Sequence, residues 1–369
     1  MKKILLLVSL FLLSCKSDNQ DPDPKPSTTP YTLEIPFHFG RNYTIPSDNP
    51  LTQEGVELGR LLFYEPLLSR NNQQSCASCH KQANAFAEPR RVSMGTRGQT
   101  GTRNSMSLSN LLWVNRFFWD GRAESLEEQA LDPITNPLEM DESIPNVLAK
   151  LQATDLYPSK FEAAFGNPTI TAENLARALA QFQRTLISSN SKYDQFLKGS
   201  YQPTDLELEG IELFFTHPIP EIGLRGGNCG DCHVGPLVTG DPNGWLGFHN
   251  NGLDTDENLA QGLAAVTGRA ADKGKFRAPS LRNIALTAPY MHDGRFAALE
   301  EVIEHYDEHI NNSQTLDPLI IEASNEIVED GKPIKLHLTD HEKRAILAFL
   351  EMLTDQTFIN DPRFSDPRP

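Results

Sequence analysis

The chain has 369 residues, 49 acidic against 33 basic, and a net charge of −16 at pH 7. That charge argues against nucleic acid and an anionic membrane surface as partners, and gives weak support to a basic partner protein. The length is enough for two domains.

The first residues read as a targeting signal. Lys2 and Lys3 precede an apolar run, Ile4 to Leu13, that is too short to span a bilayer. The run ends at Leu12-Leu13-Ser14-Cys15, a lipobox-like sequence that makes Cys15 the lipidated N-terminus after removal of residues 1–14. Residues 15–30 are polar and rich in Pro and Asp, and read as a disordered tether. The expectation is an exported lipoprotein of the periplasm or cell envelope, held to its membrane by the lipid alone.

The remainder reads as mainly α. Asp155 to Phe165 is apolar at helical intervals and stops at Gly166. Thr171 is placed to cap a helix bearing Leu175, Leu179, Phe182 and Leu186. Thr339 and Glu342 form a capping box ahead of Ile346, Leu347, Leu350 and Leu353. Only Pro333 to Leu338 alternates with period two.

Two pentapeptides organise this chain: Cys76-Ala77-Ser78-Cys79-His80 and Cys229-Gly230-Asp231-Cys232-His233. Each is C-x-x-C-H, in which two thiols form thioethers to haem vinyl groups and the adjacent His takes the iron. Together they use four of the five cysteines. Zinc is disfavoured, because no second Cys/His pair lies near either motif. Two covalent haem c groups, with His80 and His233 as iron ligands, are therefore expected.

The halves repeat each other. Glu54-Gly55-Val56-Glu57-Leu58 corresponds to Glu209-Gly210-Ile211-Glu212-Leu213. Met106-Ser107-Leu108-Ser109-Asn110 corresponds to Pro279-Ser280-Leu281-Arg282-Asn283, and Trp119-Asp120-Gly121-Arg122 to His292-Asp293-Gly294-Arg295. Two cytochrome-c-like haem domains related by internal duplication follow, over 31–200 and 201–358, with 359–369 as a tail. The same offset sets Pro133 against Tyr306, so the first haem meets a residue that cannot ligate and the second one that can. A slip by one would substitute His305.

At these residues, and at Phe118-Trp119-Asp120-Gly121-Arg122-Ala123, Asn136-Pro137-Leu138-Glu139-Met140 and Ala288-Pro289-Tyr290-Met291-His292-Asp293-Gly294, the chain resembles the bacterial di-haem cytochrome-c peroxidases, including their methylamine-utilisation branch. The resemblance implies an enzyme in which the His233 haem accepts electrons from a small cytochrome c or copper protein and the His80 haem reduces hydrogen peroxide to water. It implies that Trp119 passes electrons between the haems. It sets Gln129, Glu139 and Pro133 over the peroxidatic haem, with Glu139 as acid and base. It also implies that Asn104, Thr287 and Pro289 hold a calcium ion. Two departures stand out. The loop Val92 to Gly98 has Thr96 where the standard enzymes carry a capping His, and Tyr306 replaces their axial Met. Alternatives are oxidation of a protein or organic substrate through a high-valent di-haem state, and a non-catalytic electron carrier. A homodimer is left open.

Overall fold

The computed structural model describes residues 28–327 and 335–368. Cys15, the signal segment, most of the tether and Pro333 and Ile334 lie outside the described residues. Lys335 to Leu338 forms no regular element.

The fold is mainly helical, as expected. Eight helices position the site: α1 Gln53–Phe63, α2 Leu126–Thr135, α3 Leu156–Phe165, α4 Ala172–Arg184, α5 Lys192–Leu197, α6 Asp205–Phe215, α7 Leu299–Glu308 and α8 Asp340–Met352. Strands β1 Phe248–His249 and β2 Phe276–Arg277 pair antiparallel, with Phe248 opposite Arg277. Local signals explain the helix ends. The Thr171 hydroxyl accepts the Asn174 amide, Thr339 and Glu342 close their capping box, and Gly166 ends α3 at φ 78°.

Two helix pairs form the scaffold. α1 packs on α4, burying Leu58, Leu62, Phe63, Leu175, Leu179 and Phe182. α6 packs on α8, burying Leu213, Phe214, Ile346 and Phe349. Each crossing depends on a glycine. A Cβ on Gly59 would stand 1.9 Å from the Ala178 carbonyl oxygen, and one on Gly210 would stand 1.9 Å from that of Ala345. Gly59 and Gly210 thus have the same place in the two helix pairs, whereas the sequence likeness set Gly55, one turn earlier, against Gly210. Gly55 instead faces the Gln181 side chain. In a free helix Gly→Ala stabilises by about 0.5–1 kcal/mol. Here the obstacle is backbone, so Gly59→Ala or Gly210→Ala is expected to reverse that sign and cost at least about 1–3 kcal/mol, read as a lowered thermal midpoint.

Further backbone features recur. Asn110 and Asn283 are left-handed at φ 61° and 64°, as are Phe118 and Met291 at 65° and 73°. Asn110 donates its amide to the Leu186 carbonyl at 2.8 Å, and Asn283 to that of Leu353 at 2.9 Å. The halves meet through a reciprocal pair of bonds. The Asn104 amide donates to the His292 carbonyl (3.0 Å), and the Arg277 amide to the Trp119 carbonyl (2.9 Å).

The C-terminal residues do not trail as a tail. Phe358 and Phe364 are buried in the first half's core. Tyr64 donates its hydroxyl to the Phe364 carbonyl at 2.7 Å, and Arg60 donates to that of Ser365 at 2.7 Å. The end of the chain therefore clamps the first half.

Candidate functional site

Both C-x-x-C-H motifs open into cavities. Cys76 to Cys79 forms one helical turn with His80 at its end. Cys229 to Asp231 forms a 3₁₀ turn, and a Cβ on Gly230 would stand 2.8 Å from Phe215 Cα. All four thiols are free. Burial pushes Cys76 and Cys229 up to about 12 and Cys79 up to about 11, the opposite of an activated redox pair. His80 Nδ1 bonds the Phe86 carbonyl at 2.8 Å, and His233 Nδ1 bonds that of Pro279 at 3.1 Å. Each ring is thereby oriented with Nε2 left to ligate. The residues present fit two haem c groups. Among the described residues no cluster of three or more His, Cys, Asp or Glu is arranged for a metal ion.

The first cavity, of about 60 Å³, brings Cys76, Cys79 and His80 together with Gln129, Pro133 and Glu139. Gln129 and Pro133 lie four apart on α2 and so share a face. Glu139 follows in the turn after α2, where Asn136 Nδ2 donates to Glu139 Oε1 at 2.7 Å. The loop from 92 to 101 docks on this turn. The Thr96 amide donates to the Glu139 carbonyl at 2.9 Å, and a Cβ on Gly95 would stand 2.4 Å from the Leu138 carbonyl oxygen. Burial holds the Glu139 carboxyl above its ordinary range, opposed by Asn136.

The loop corrects one expectation. Ser93 and Met94 line the cavity, whereas Thr96 does not. The Thr96 hydroxyl is buried without a hydrogen-bond partner. Counting along a loop located the segment but not the residues of it that line the cavity; of these Met94 is 45% exposed.

The second cavity, of about 220 Å³, is lined by Cys229, Cys232 and His233 with Trp119, Arg277, Met291, His292 and Tyr306. The Tyr306 hydroxyl accepts from Asn251 Nδ2 at 3.0 Å, and burial raises its pKa strongly. His305, the alternative, is not a lining residue; its Nε2 bonds the Asn251 carbonyl at 3.0 Å. Met291 was not singled out from the sequence, and its sulfur lies 3.5 Å from Asn251 Nδ2 in the same cavity. Trp119 comes from the first half but lines this second cavity, with Nε1 donating to the Asn104 carbonyl at 2.8 Å. Its ring stands edge-on to His292 at 6.5 Å, and His292 stacks on Phe276 at 3.7 Å. Burial pushes His292 down to about 4, so this ring is neutral. Asn104, Thr287 and Pro289 also come together in this lining. Asn104 Nδ2 donates to the carbonyls of Arg90 (3.1 Å) and Arg91 (3.3 Å).

A mainly helical chain with two free, half-buried Cys-Cys-His sets, each opening into its own cavity, defines a di-haem c protein. The family model for di-haem cytochrome c peroxidases matches residues 53–202. The methylamine utilization protein MauG of Methylorubrum extorquens is 35% identical over 322 residues, covering 87% of this chain and 84% of that one. The cytochrome c551 peroxidase of Nitrosomonas europaea is 37% identical over 257 residues, covering 69% and 73%. A solved MauG-like protein associated with microbial copper homeostasis superposes with a TM-score of 0.78 at 38% identity, over 91% of this chain and 99% of that one. The chain belongs to the di-haem cytochrome c peroxidase family.

Proposed function

We propose that the protein reduces hydrogen peroxide to water in the first cavity, with electrons from a small redox protein that enter at the second. The observation that supports this reading best is Glu139, a half-buried carboxyl held by Asn136 in the cavity of Cys76, Cys79 and His80. The haem supplies iron that binds peroxide and delivers electrons. Glu139 takes the proton from one peroxide oxygen and returns it to the other, a task suited to a carboxyl whose pKa burial has raised. Gln129 orients the peroxide, and Pro133, with no side-chain donor or acceptor, leaves the site open. Trp119 relays electrons between the halves, supported by its place in the second cavity. Steady-state peroxide consumption with a reduced small cytochrome or copper protein tests the reading. A rate no greater than that of free haem would overturn it.

His80 and His233 would ligate the two irons, and Tyr306 would supply the second ligand to the His233 haem. An oxygen ligand favours ferric iron more than a thioether does. Tyr306→Met is therefore expected to raise the reduction potential of that haem in a potentiometric titration. An unchanged potential would point to Met291 as the ligand already in place. Tyr306 also favours a second reading, in which the oxidising power is spent on a protein or organic substrate.

Two domains, expected over 31–200 and 201–358, arose by duplication, with the segment from Phe358 onward packing back into the core of the first. The matched glycines Gly59 and Gly210 and the matched left-handed pairs support this. Asn104, Thr287 and Pro289 hold a calcium ion between the halves. Cys15 carries the lipid of an exported protein. Among the described residues no helix is long and apolar enough to cross a membrane.

A further inference from the structure

One buried charge in the second cavity has no counter-charge. Arg277 is 9% exposed, lines the cavity with His233, and its backbone is fixed there by the N–H it donates to the Trp119 carbonyl. Its Nη2 reaches only the Met106 sulfur at 3.3 Å, a weak acceptor. Its Nε is buried with no partner. No carboxylate among the described residues offsets its burial, which pushes the guanidinium down to about 10. That is still well above neutral pH, so the side chain stays cationic. A buried, unpaired cation is strongly destabilising unless an anion joins it.

The contrast with Arg282 is informative. That arginine is equally enclosed, but the Asp194 carboxylate pairs with it at 2.7 Å. In the first half, the offset that relates Trp119 to His292 sets Asn104 opposite Arg277, so the cation is present in one half only.

We propose that Arg277 is the counter-ion of a propionate on the haem held by Cys229, Cys232 and His233. This rests on the assignment of haem c to that motif. A propionate is the anion that haem carries into the cavity, and a guanidinium fork matches a carboxylate with two parallel hydrogen bonds. The pairing orients the macrocycle beside Trp119. It also sets the potential, because a buried anion stripped of its cation favours ferric iron.

The test uses haem-loaded full-length protein at pH 8 and a spectroelectrochemical titration resolved for each haem. Arg277→Gln is expected to lower the midpoint of the His233 haem by about 59 mV, a tenfold change in its ferric-to-ferrous ratio, and to leave the His80 haem unmoved. An unchanged His233 midpoint, or a shift confined to the His80 haem, overturns the proposal even if the variant is less stable. If Arg277→Gln yields no haem-loaded protein, Arg277→Lys carries the test, since it keeps the charge and loses the fork. Its propionate bending band in the resonance Raman spectrum is expected to move, and a band identical to wild type overturns the assignment. Loss of covalent haem from the wild-type Cys229 motif would instead sink the haem reading itself. Haem mass analysis keeps that failure distinct.

Discussion

Glu139→Gln is expected to lower kcat/KM for hydrogen peroxide by about a hundredfold or more, the usual worth of a positioned acid and base. The substitution keeps the shape and the Asn136 contact, since a Gln carbonyl accepts the Asn136 amide that now bonds Oε1. Only the capacity to take up a proton is lost. Cyanide binding to the oxidised protein should therefore change little. The pH profile supplies the sign. Glu139 must begin as carboxylate to receive the first proton, and burial has raised its pKa. The acid limb of kcat/KM should lie above the ordinary carboxylate range, with activity falling as pH drops through it, and Glu139→Gln should abolish that limb. A variant that keeps the wild-type limb would assign the proton transfer to another group.

Asp194→Asn is expected to destabilise the fold by about 3–5 kcal/mol, because it leaves a buried guanidinium unpaired. Asp194 and Arg282 have fully buried side chains and meet at 2.7 Å. His38 Nε2 donates to the other Asp194 oxygen at 2.7 Å, tying the N-terminal segment to the same point. The Ser191 amide and hydroxyl donate to Asp194 Oδ2 at 2.8 and 2.7 Å. The Arg282 guanidinium lies over Phe39 at 5.0 Å and Tyr193 at 5.3 Å. Burial pushes the Asp194 carboxyl up, but Arg282, Ser191 and His38 outweigh it and hold it below its ordinary value. Its contribution is thus complete above the unfolded carboxylate pKa and is lost as pH falls toward the folded one. His38 is also held low, chiefly by burial, so protonating it in acid adds to the loss. Denaturant midpoints of Asp194→Asn, Arg282→Met and the double variant measure the coupling. The double variant should recover much of the loss, since no charge then remains unpaired. If the single substitutions add without coupling, the pair does not hold the halves together.

Features carried by neighbouring residues were legible in the sequence. Thr171, Gly166 and the Thr339–Glu342 box act within one turn, so they marked helix ends correctly. The motifs at Cys76 and Cys229 needed only adjacency. What depended on distant chain was less legible. The Glu-Gly-x-Glu-Leu likeness suggested Gly55, but the choice between Gly55 and Gly59 is made by the Ala178 carbonyl on another helix. Thr96 and Met94 are two residues apart in a loop, and only the docking of that loop on Leu138 and Glu139 decides which belongs to the cavity lining. Arg277 looks in sequence like any surface arginine, and its isolation appears only once β1 and β2 pair beside Trp119. The burial of Phe358 and Phe364 in the first half's core joins opposite ends of the chain, which no local pattern encodes.

The central claim is that the cavity of His80, Gln129, Pro133 and Glu139 is where peroxide reacts. Rapid mixing of the fully oxidised, haem-loaded protein with hydrogen peroxide tests it most directly, followed by absorbance without added reductant. Neither Thr96 nor Pro133 offers a ligand to close that site, so the His80 haem spectrum should change at once, at a rate proportional to peroxide. A spectrum that stays fixed until the protein has taken up an electron would contradict the account and make Met94, the one thioether-bearing residue of the loop that lines that cavity, the first residue to replace.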